Sequence, residues 1–185
     1  GKRIDLKNRK NSAILIIDVQ NRLTFSNDSA KAAEYRVGPF LESIVTAIDK
    51  LKAVEPVYIR QEFPRNSFIS FLFPTFPEEG DPDTEIVSSV YITGAKVFPK
   101  SKADSFTNPE LQKFLEGIGA GTLYITGLAA EACVERTIKG ALEKGYRVIV
   151  IKEAVLSMWG GLPDAALLEK YKSYGAEVVS LHDLK

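Results

Sequence analysis

Three side chains of this sequence have the chemistry of an acyl-transfer site: a thiol, a carboxylate and an ammonium. Cys133 is the only cysteine among 185 residues, and it lies at the start of a helical stretch that follows the apolar run 123–127. The positive end of a helix dipole favours thiolate, so this position predicts a pKa below the usual cysteine value of about 8.5. A single cysteine is equally typical of a small buried apolar residue, so the thiol alone does not predict catalysis.

Asp18 and Lys100 follow two other apolar segments, at 13–17 and 97–99. Taken singly, the aspartate is typical of a turn or helix cap and the lysine of a solvated surface. Because the carboxyl ends of parallel strands lie side by side, we expect both side chains to meet Cys133 in one crevice. There Asp18 would take the thiol proton, Lys100 would stabilise the thiolate, and backbone N–H groups before the helix would stabilise an oxyanion.

Alternating strand and helix patterns predict the fold that positions these residues. Apolar runs typical of buried strands lie at 13–17, 123–125 and 148–151, with weaker candidates at 57–59, 96–98 and 177–180. Helical patterns cover 39–53, 108–115, 131–144 and 163–174, and Gly145 and Gly175 are predicted left-handed caps. The alternation predicts an α/β protein: a three-layer α-β-α sandwich around a mainly parallel, Rossmann-like sheet of about six strands.

The segment 63–94 departs from this alternation. It contains four prolines and five phenylalanines, namely Pro64, Pro74, Pro77, Pro82, Phe63, Phe68, Phe71, Phe73 and Phe76. This composition predicts a long irregular loop that either binds substrate or forms a subunit interface. Neither repeats nor linkers divide the sequence, so we expect one domain over residues 1–185.

The composition argues against several classes of protein. Lys and Arg total 24, as do Asp and Glu, so no net positive charge favours nucleic acid. No apolar run approaches the ~20 residues of a membrane span, and residues 1–5 lack the apolar core of a signal peptide, which predicts a cytoplasmic protein. With one cysteine and one histidine, His182, we expect neither a disulfide framework nor a zinc or iron centre, and no cofactor.

The motifs around these residues resemble those of the isochorismatase-like hydrolases, in their cysteine hydrolase and amidohydrolase branch. They are DVQN at 18–21, KSKADSF at 100–106, TGLAAEACV at 126–134 and GYRV at 145–148. The resemblance spans most of the chain and implies a catalytic triad of Asp18, Lys100 and Cys133. It also implies a cis peptide between Leu128 and Ala129, with the N–H groups of Ala129 and Cys133 directed at the oxyanion, and a homo-oligomer, either dimer or tetramer.

The sequence departs from two branches of that family. Nicotinamidases hold a metal through a segment of the type Arg-Asp-Trp-His-Pro, whereas residues 60–64 read RQEFP. Gln61 replaces the aspartate and Phe63 a histidine, so we expect no catalytic metal and do not expect nicotinamide as substrate. Glu62 remains, but one carboxylate makes a poor metal site. Isochorismatases have a substrate-binding glutamine near this strand end but commonly lack the cysteine.

Three functional hypotheses follow. The leading one is a metal-independent cysteine hydrolase that cleaves a small amide, ureide or carbamoyl compound through a thioester, with Gln61, Phe25, Phe68 and Phe71 as substrate-binding residues. The second is vinyl ether hydrolysis of the isochorismatase type, with Asp18 as the acid. The third is a non-catalytic oligomer whose thiol senses oxidants or binds a ligand. The expected partner is a small molecule, not nucleic acid or a membrane.

Overall fold

The computed structural model describes residues 9–65, 67–72 and 77–185. Residues 1–8, Phe73 and Phe76 lie outside the described part of the chain. The strands are β1 (Asn11–Ile17), β2 (Glu55–Gln61), β3 (Lys96–Lys100), β4 (Ala120–Leu128), β5 (Arg147–Leu156) and β6 (Glu177–Val179). The α-helices are α1 (Ser29–Glu34), α2 (Val37–Lys50), α3 (Phe68–Leu72), α4 (Pro109–Gly117), α5 (Cys133–Glu143) and α6 (Ala165–Tyr174).

The six strands form one parallel sheet in the order β3-β2-β1-β4-β5-β6. The chain moves outward from β1 in one direction through β2 and β3, then crosses to β4 on the other side of β1. Ligand crevices of open α/β sheets lie at such a reversal, beyond the carboxyl ends of the strands. The predicted α/β fold and its strand number are therefore confirmed, and every pairing is parallel.

Alternate residues of each strand pack into cores on the two faces of the sheet. In β1, Ala13, Leu15 and Ile17 pack with residues of α4, α5 and α6. Ile14 and Ile16 pack on the opposite face with residues of α2. This period of two, with both faces apolar, explains the continuous apolar run in the sequence and gives the three predicted layers.

Capping residues define the ends of two of the helices. The Asn108 and Asp164 side chains accept hydrogen bonds from the first turns of α4 and α6, from the Glu110 N–H at 3.0 Å and the Leu167 N–H at 2.8 Å. Gly175 ends α6 with a φ of 113°, as its predicted capping role requires. Helix α1 was not predicted, because it has six residues and buries none of them, which leaves no apolar periodicity.

Strand β5 is longer than the apolar run 148–151 predicted. The charged pair Lys152 and Glu153 interrupts the run, yet the strand continues to Leu156. Its pairing with β4 shifts register between Ile125 and Gly127, which absorbs the charged residues. The extension brings Leu156 beside Leu128, at the turn that leads to α5.

The described part of the segment 63–94 contains regular structure that the predicted irregular loop did not include. It contains α3 and a short 3-10 helix, Pro82–Thr84, and it pairs with the main body through a bridge between Gln20 and Ile86. The N–H of Val87 donates to the carbonyl of Val19 at 2.9 Å. Hydrogen bonds between residues 83–87 and residues 19–22 hold this part of the segment against the main body.

In the described part of the chain, no helix combines the length and apolar character needed to cross a bilayer.

Candidate active site

Asp18 follows β1 at the carboxyl edge of the sheet in a left-handed conformation. Its φ is 57°, and its N–H donates to the carbonyl of Ile59 on β2 at 2.9 Å. Aspartate tolerates this conformation better than most residues do. The turn directs the chain away from the sheet immediately after the strand and leaves the side chain only 2 % exposed.

Lys100, the last residue of β3, connects the other site residues. Its Nζ lies 3.1 Å from Asp18 Oδ2 and 3.2 Å from Cys133 Sγ, and it also donates to Gln61 Oε1. An ammonium has three donors, and these acceptors use all three. The fully buried lysine therefore joins residues that follow or end three other strands, since β2, β1 and β4 lie in succession beside β3.

Gln61 is fixed in turn by a buried glutamine that sequence reasoning did not single out. The Gln20 side chain accepts from the N–H of Gln61 at 2.7 Å and donates to its carbonyl at 3.0 Å. It also donates to the carbonyl of Thr84 at 2.9 Å. Gln20 lies in the DVQN motif, which was the available sequence signal, but only the tertiary structure gives its partners. The three hydrogen bonds of Gln20 hold the end of β2, where the Gln61 side chain accepts a hydrogen bond from Lys100.

The turn between β4 and α5 presents backbone donors beside the thiol. The peptide between Leu128 and Ala129 is cis, at the junction that the family resemblance implied. Cys133 is the first residue of α5, and the Ala132 cap provides no side-chain hydrogen bond. Among the described residues, the N–H groups of Ala129 and Cys133 donate to no protein acceptor. Unpaired N–H groups of this kind can bind a negative oxygen.

Burial and charge oppose the expected activation of the thiol. Burial first, and then the negative charge of Asp18, raise the pKa of Cys133 to about 12. Lys100 acts in the other direction but does not compensate. The expectation of a lowered cysteine pKa at the helix N-terminus is therefore wrong, because burial and the neighbouring carboxylate raise the pKa of the thiol. These two effects favour the neutral thiol of Cys133 over the thiolate.

Asp18 shares this environment. Burial raises the pKa of its carboxyl, and the charge of Lys100 lowers it in part. Its Oδ2 accepts from Lys100, and its Oδ1 is buried without a well-aligned donor among the described residues, while a hydrogen bond with the Cys133 thiol also lowers the pKa of the carboxyl. A buried carboxylate oxygen without a donor is costly and accepts a proton readily.

A cavity of about 340 Å³ opens at these residues. The structure brings Asp18, Gln61, Leu128, Ala129 and Cys133 together in its lining. The other lining residues are Leu23, Phe63, Pro77, Ser101, Lys102, Ala103, Ala132 and Met158. Phe63 and Pro77 come from the segment 63–94, so residues before and after α3 contribute part of the wall. The space is sufficient for a small organic molecule.

Three residues predicted to contact substrate lie away from this cavity. Phe25 packs against Tyr35, with ring centroids 5.1 Å apart, and Lys31 lies over its ring at 4.4 Å. Phe68 and Phe71 are on α3 and are 75 % and 80 % exposed. Of the aromatic residues of the segment 63–94, Phe63 does line the cavity; aromatic composition alone could not separate it from Phe68 and Phe71, because composition gives no direction for a side chain.

The described residues do not fit the metal site of the nicotinamidases. Gln61 Oε1 accepts from Lys100, and the Glu62 carboxylate forms an ion pair with Arg60. Phe63 has no ligating atom. No group of three or more potential ligands from His, Cys, Asp and Glu occurs in the part of the chain that the structure describes. Glu62, the one carboxylate that the sequence left as a possible metal ligand in this segment, is thus paired with Arg60.

Comparisons with known proteins agree with this architecture. The profile of the isochorismatase domain matches residues 12–183. Nicotinamidase 3 of Arabidopsis thaliana is 26 % identical over 170 residues, which cover 87 % of this chain and 81 % of that protein. An N-carbamoylsarcosine amidase of Arthrobacter is 36 % identical over 62 residues, covering 34 % of this chain and 24 % of the other. A cysteine hydrolase of Pseudomonas syringae pv. phaseolicola superposes with a TM-score of 0.78 at 18 % identity, covering 99 % and 93 % of the two chains.

Proposed function

The chain belongs to the isochorismatase domain family, and we propose that it is a metal-independent cysteine hydrolase. Its substrate is a small amide, ureide or carbamoyl compound, whose C–N bond is cleaved through a thioester on Cys133. Relatives named nicotinamidase, N-carbamoylsarcosine amidase and ureidoacrylate amidohydrolase support chemistry at a non-peptide C–N bond. A thiol retained in the cavity supports the covalent route, because acyl transfer uses a nucleophile.

The observation that carries the proposal is the orphan oxygen of Asp18 within the triad. Oδ2 accepts from Lys100, and Oδ1 is free to receive the proton of the Cys133 thiol. Transfer from Sγ to Oδ1 leaves the total charge of the three groups unchanged, because the carboxylate charge moves to sulfur beside the Lys100 ammonium. Charge-neutral transfer avoids the cost of creating a new net charge in a buried site.

The proposed reaction then has two stages. The thiolate attacks the carbonyl carbon, and the oxyanion binds the N–H groups of Ala129 and Cys133. As the C–N bond breaks, Asp18 delivers its proton to the leaving nitrogen, which departs as an amine or ammonia. Asp18 next takes a proton from water, whose oxygen attacks the thioester. The acid leaves, and the proton returns to the Cys133 sulfur.

The test is turnover and intact mass of the wild type and the Cys133→Ala variant with a panel of small amides, ureides and carbamoyl compounds. We expect the wild type to release ammonia or amine and to carry a transient acyl mass. The variant should lose at least about 10³-fold in turnover, since nucleophile and base act as a unit. Equal melting temperatures would show an intact fold. A fully active variant would contradict the covalent mechanism.

One observation favours a second function, vinyl ether hydrolysis. That reaction needs a protonated acid, and burial raises the pKa of Asp18. Isochorismate is the appropriate probe. Activity that survives Cys133→Ala but is lost in Asp18→Asn would assign the protein to this reaction, whereas loss in both variants with amide substrates would assign it to the first.

A further inference from the structure

The loop after β5, residues 157–162, forms part of the rim of the catalytic cavity. Met158 belongs to the cavity lining, whereas Trp159 beside it is 80 % exposed. The Glu131 carboxylate holds this loop: one oxygen accepts from the Ser157 hydroxyl, and the other accepts from the Met158 N–H at 2.9 Å. Glu131 precedes Cys133 by two residues. The same turn that presents the nucleophile therefore also fixes Met158.

The far side of this loop is fixed as well. The N–H of Gly161 donates to the carbonyl of Tyr35 at 2.9 Å, and the N–H of Ser157 donates to the carbonyl of Gly161 at 3.0 Å. Gly160 lies so near Tyr35 that a Cβ atom added to the glycine would come within 2.9 Å of the Tyr35 Cα. With contacts on both sides, the loop backbone has a defined position, which places Met158 at the rim of the cavity.

The wall of the cavity is largely apolar. Its large apolar residues are Leu23, Phe63, Pro77, Leu128 and Met158, and among the described residues of the lining Ser101 is the one uncharged polar residue apart from Gln61 and Cys133. The charged residues of the lining are Asp18, which belongs to the triad, and Lys102, which is exposed to solvent. A carboxylate carried by the substrate would lose its hydration against this wall, and the buried cation of the site, Lys100, lies outside the lining with its three donors already used by Asp18, Gln61 and Cys133. An uncharged acyl group avoids that cost and gains from burial.

We propose, on the basis of the amidohydrolase function above, that the substrate is an amide whose acyl group is small, apolar and uncharged. Met158 is its specificity-determining residue, and Glu131 is the positioning residue that holds Met158 in place. The substituent of the carbonyl lies against Met158 while the carbonyl carbon lies at Cys133.

The first experiment compares kcat/KM for isobutyramide and for succinamic acid, an amide of similar size that carries a carboxylate. Wild type should prefer isobutyramide. Met158→Ala should reduce kcat/KM for isobutyramide about tenfold, the usual effect of removing an apolar contact from a pocket. The matched variant Met158→Leu preserves apolar volume and should retain the preference.

A second experiment separates positioning by Glu131 from a general structural role. Glu131→Ala removes both hydrogen bonds to the loop, so KM for isobutyramide should rise with little change in kcat. The rate at which iodoacetamide alkylates Cys133 should stay at the wild-type value, because the nucleophile turn retains its own backbone bonds. A changed alkylation rate, or an equal fall of kcat for all amides, would overturn the positioning role.

The outcomes for the substrate class and for the enzymatic function are distinct. A preference for succinamic acid that disappears in Lys102→Ala would overturn the uncharged substrate while leaving the cysteine hydrolase proposal intact. A Met158→Ala variant with unchanged selectivity would overturn the role of Met158. Absence of both turnover and acyl mass with every amide would instead contradict the proposed function itself.

Discussion

At the scale of single residues, the candidate site places two groups with raised pKa values, a carboxyl and a thiol, beside one buried ammonium. Burial raises the pKa of Asp18 and of Cys133, and the negative charge of Asp18 adds to the increase at the thiol. Lys100 donates to both groups. The arrangement favours a neutral thiol at rest, and in the proposed mechanism the thiolate forms only when its proton moves to Asp18.

This interpretation predicts opposite effects of Asp18→Asn on reactivity and on turnover. Removal of the carboxylate charge removes a contribution that raises the pKa of Cys133, while the contribution of Lys100 that lowers it remains. The thiol pKa should fall, so alkylation by iodoacetamide should begin at lower pH than in the wild type. Hydrolysis should fall at least about 10²-fold, because the base is lost.

Intact mass after timed alkylation across a pH series measures the first effect. Asp104→Asn is the matched control, since it removes a half-buried carboxylate that does not contribute to the pKa of Cys133 and leaves an amide able to cap residues 105–107. An alkylation profile that moves to higher pH in Asp18→Asn would contradict the shared-proton arrangement.

At the scale of elements, β1 and β4 approach so closely that one position between them permits only glycine. Gly127 on β4 has a φ of 120°, and an added Cβ atom would lie 2.1 Å from the carbonyl oxygen of Ile17. Asp18 follows Ile17 directly, and the turn to Cys133 begins just after Gly127. The close contact of the two strands therefore sets the separation of base and nucleophile.

We predict that Gly127→Ala lowers the free energy of unfolding by at least about 2 kcal/mol, because both backbone conformation and sterics oppose the methyl group. Urea denaturation measures the change. Gly117→Ala is the control: this residue is the last of α4, has no atom within 4 Å of an added Cβ, and should be neutral or slightly stabilised. Equal stability of Gly127→Ala and wild type would refute the steric constraint.

At the scale of the whole molecule, the large apolar side chains that are more than half exposed in the described part of the chain lie at two places. Helix α3 exposes Phe68, Phe71 and Leu72, and the loop 157–162 exposes Trp159 and Leu162. Apolar groups of this size at the surface are typical of protein interfaces. They support the prediction of a homo-oligomer, which the isolated chain does not test.

We expect light scattering after size exclusion to give a dimer or tetramer at micromolar concentration. The variants Trp159→Ser and Phe71→Ser test which of the two places forms the interface. The variant at the interface should shift the protein toward monomer, because loss of an aromatic side chain that is buried in the oligomer weakens an interface strongly. Val45→Ser is the control, since Val45 is 44 % exposed on α2, away from both places. A wild type of monomeric mass at all concentrations would refute the prediction.

The sequence by itself determined the sheet, most helices and the residues of the candidate triad. Buried parallel strands are apolar on both faces, and helices carry caps and apolar periodicity, so local patterns suffice for them. Asp18 and Lys100 were identifiable because each lies where an apolar run ends. Helix α1 and the extension of β5 were missed, since neither has the expected pattern.

Only the tertiary structure decided how these groups interact. The thiol pKa rises rather than falls because desolvation and the charge of Asp18 act through space, between residues far apart in the sequence. Gln61 was identifiable from the sequence as a site residue. Its hydrogen bond to Lys100, and the hydrogen bond by which Glu131 holds Met158, were not identifiable, because they too join residues far apart in the sequence. A residue pattern gives the type and order of groups; distance and burial, which set their charge states, exist only after the chain has folded.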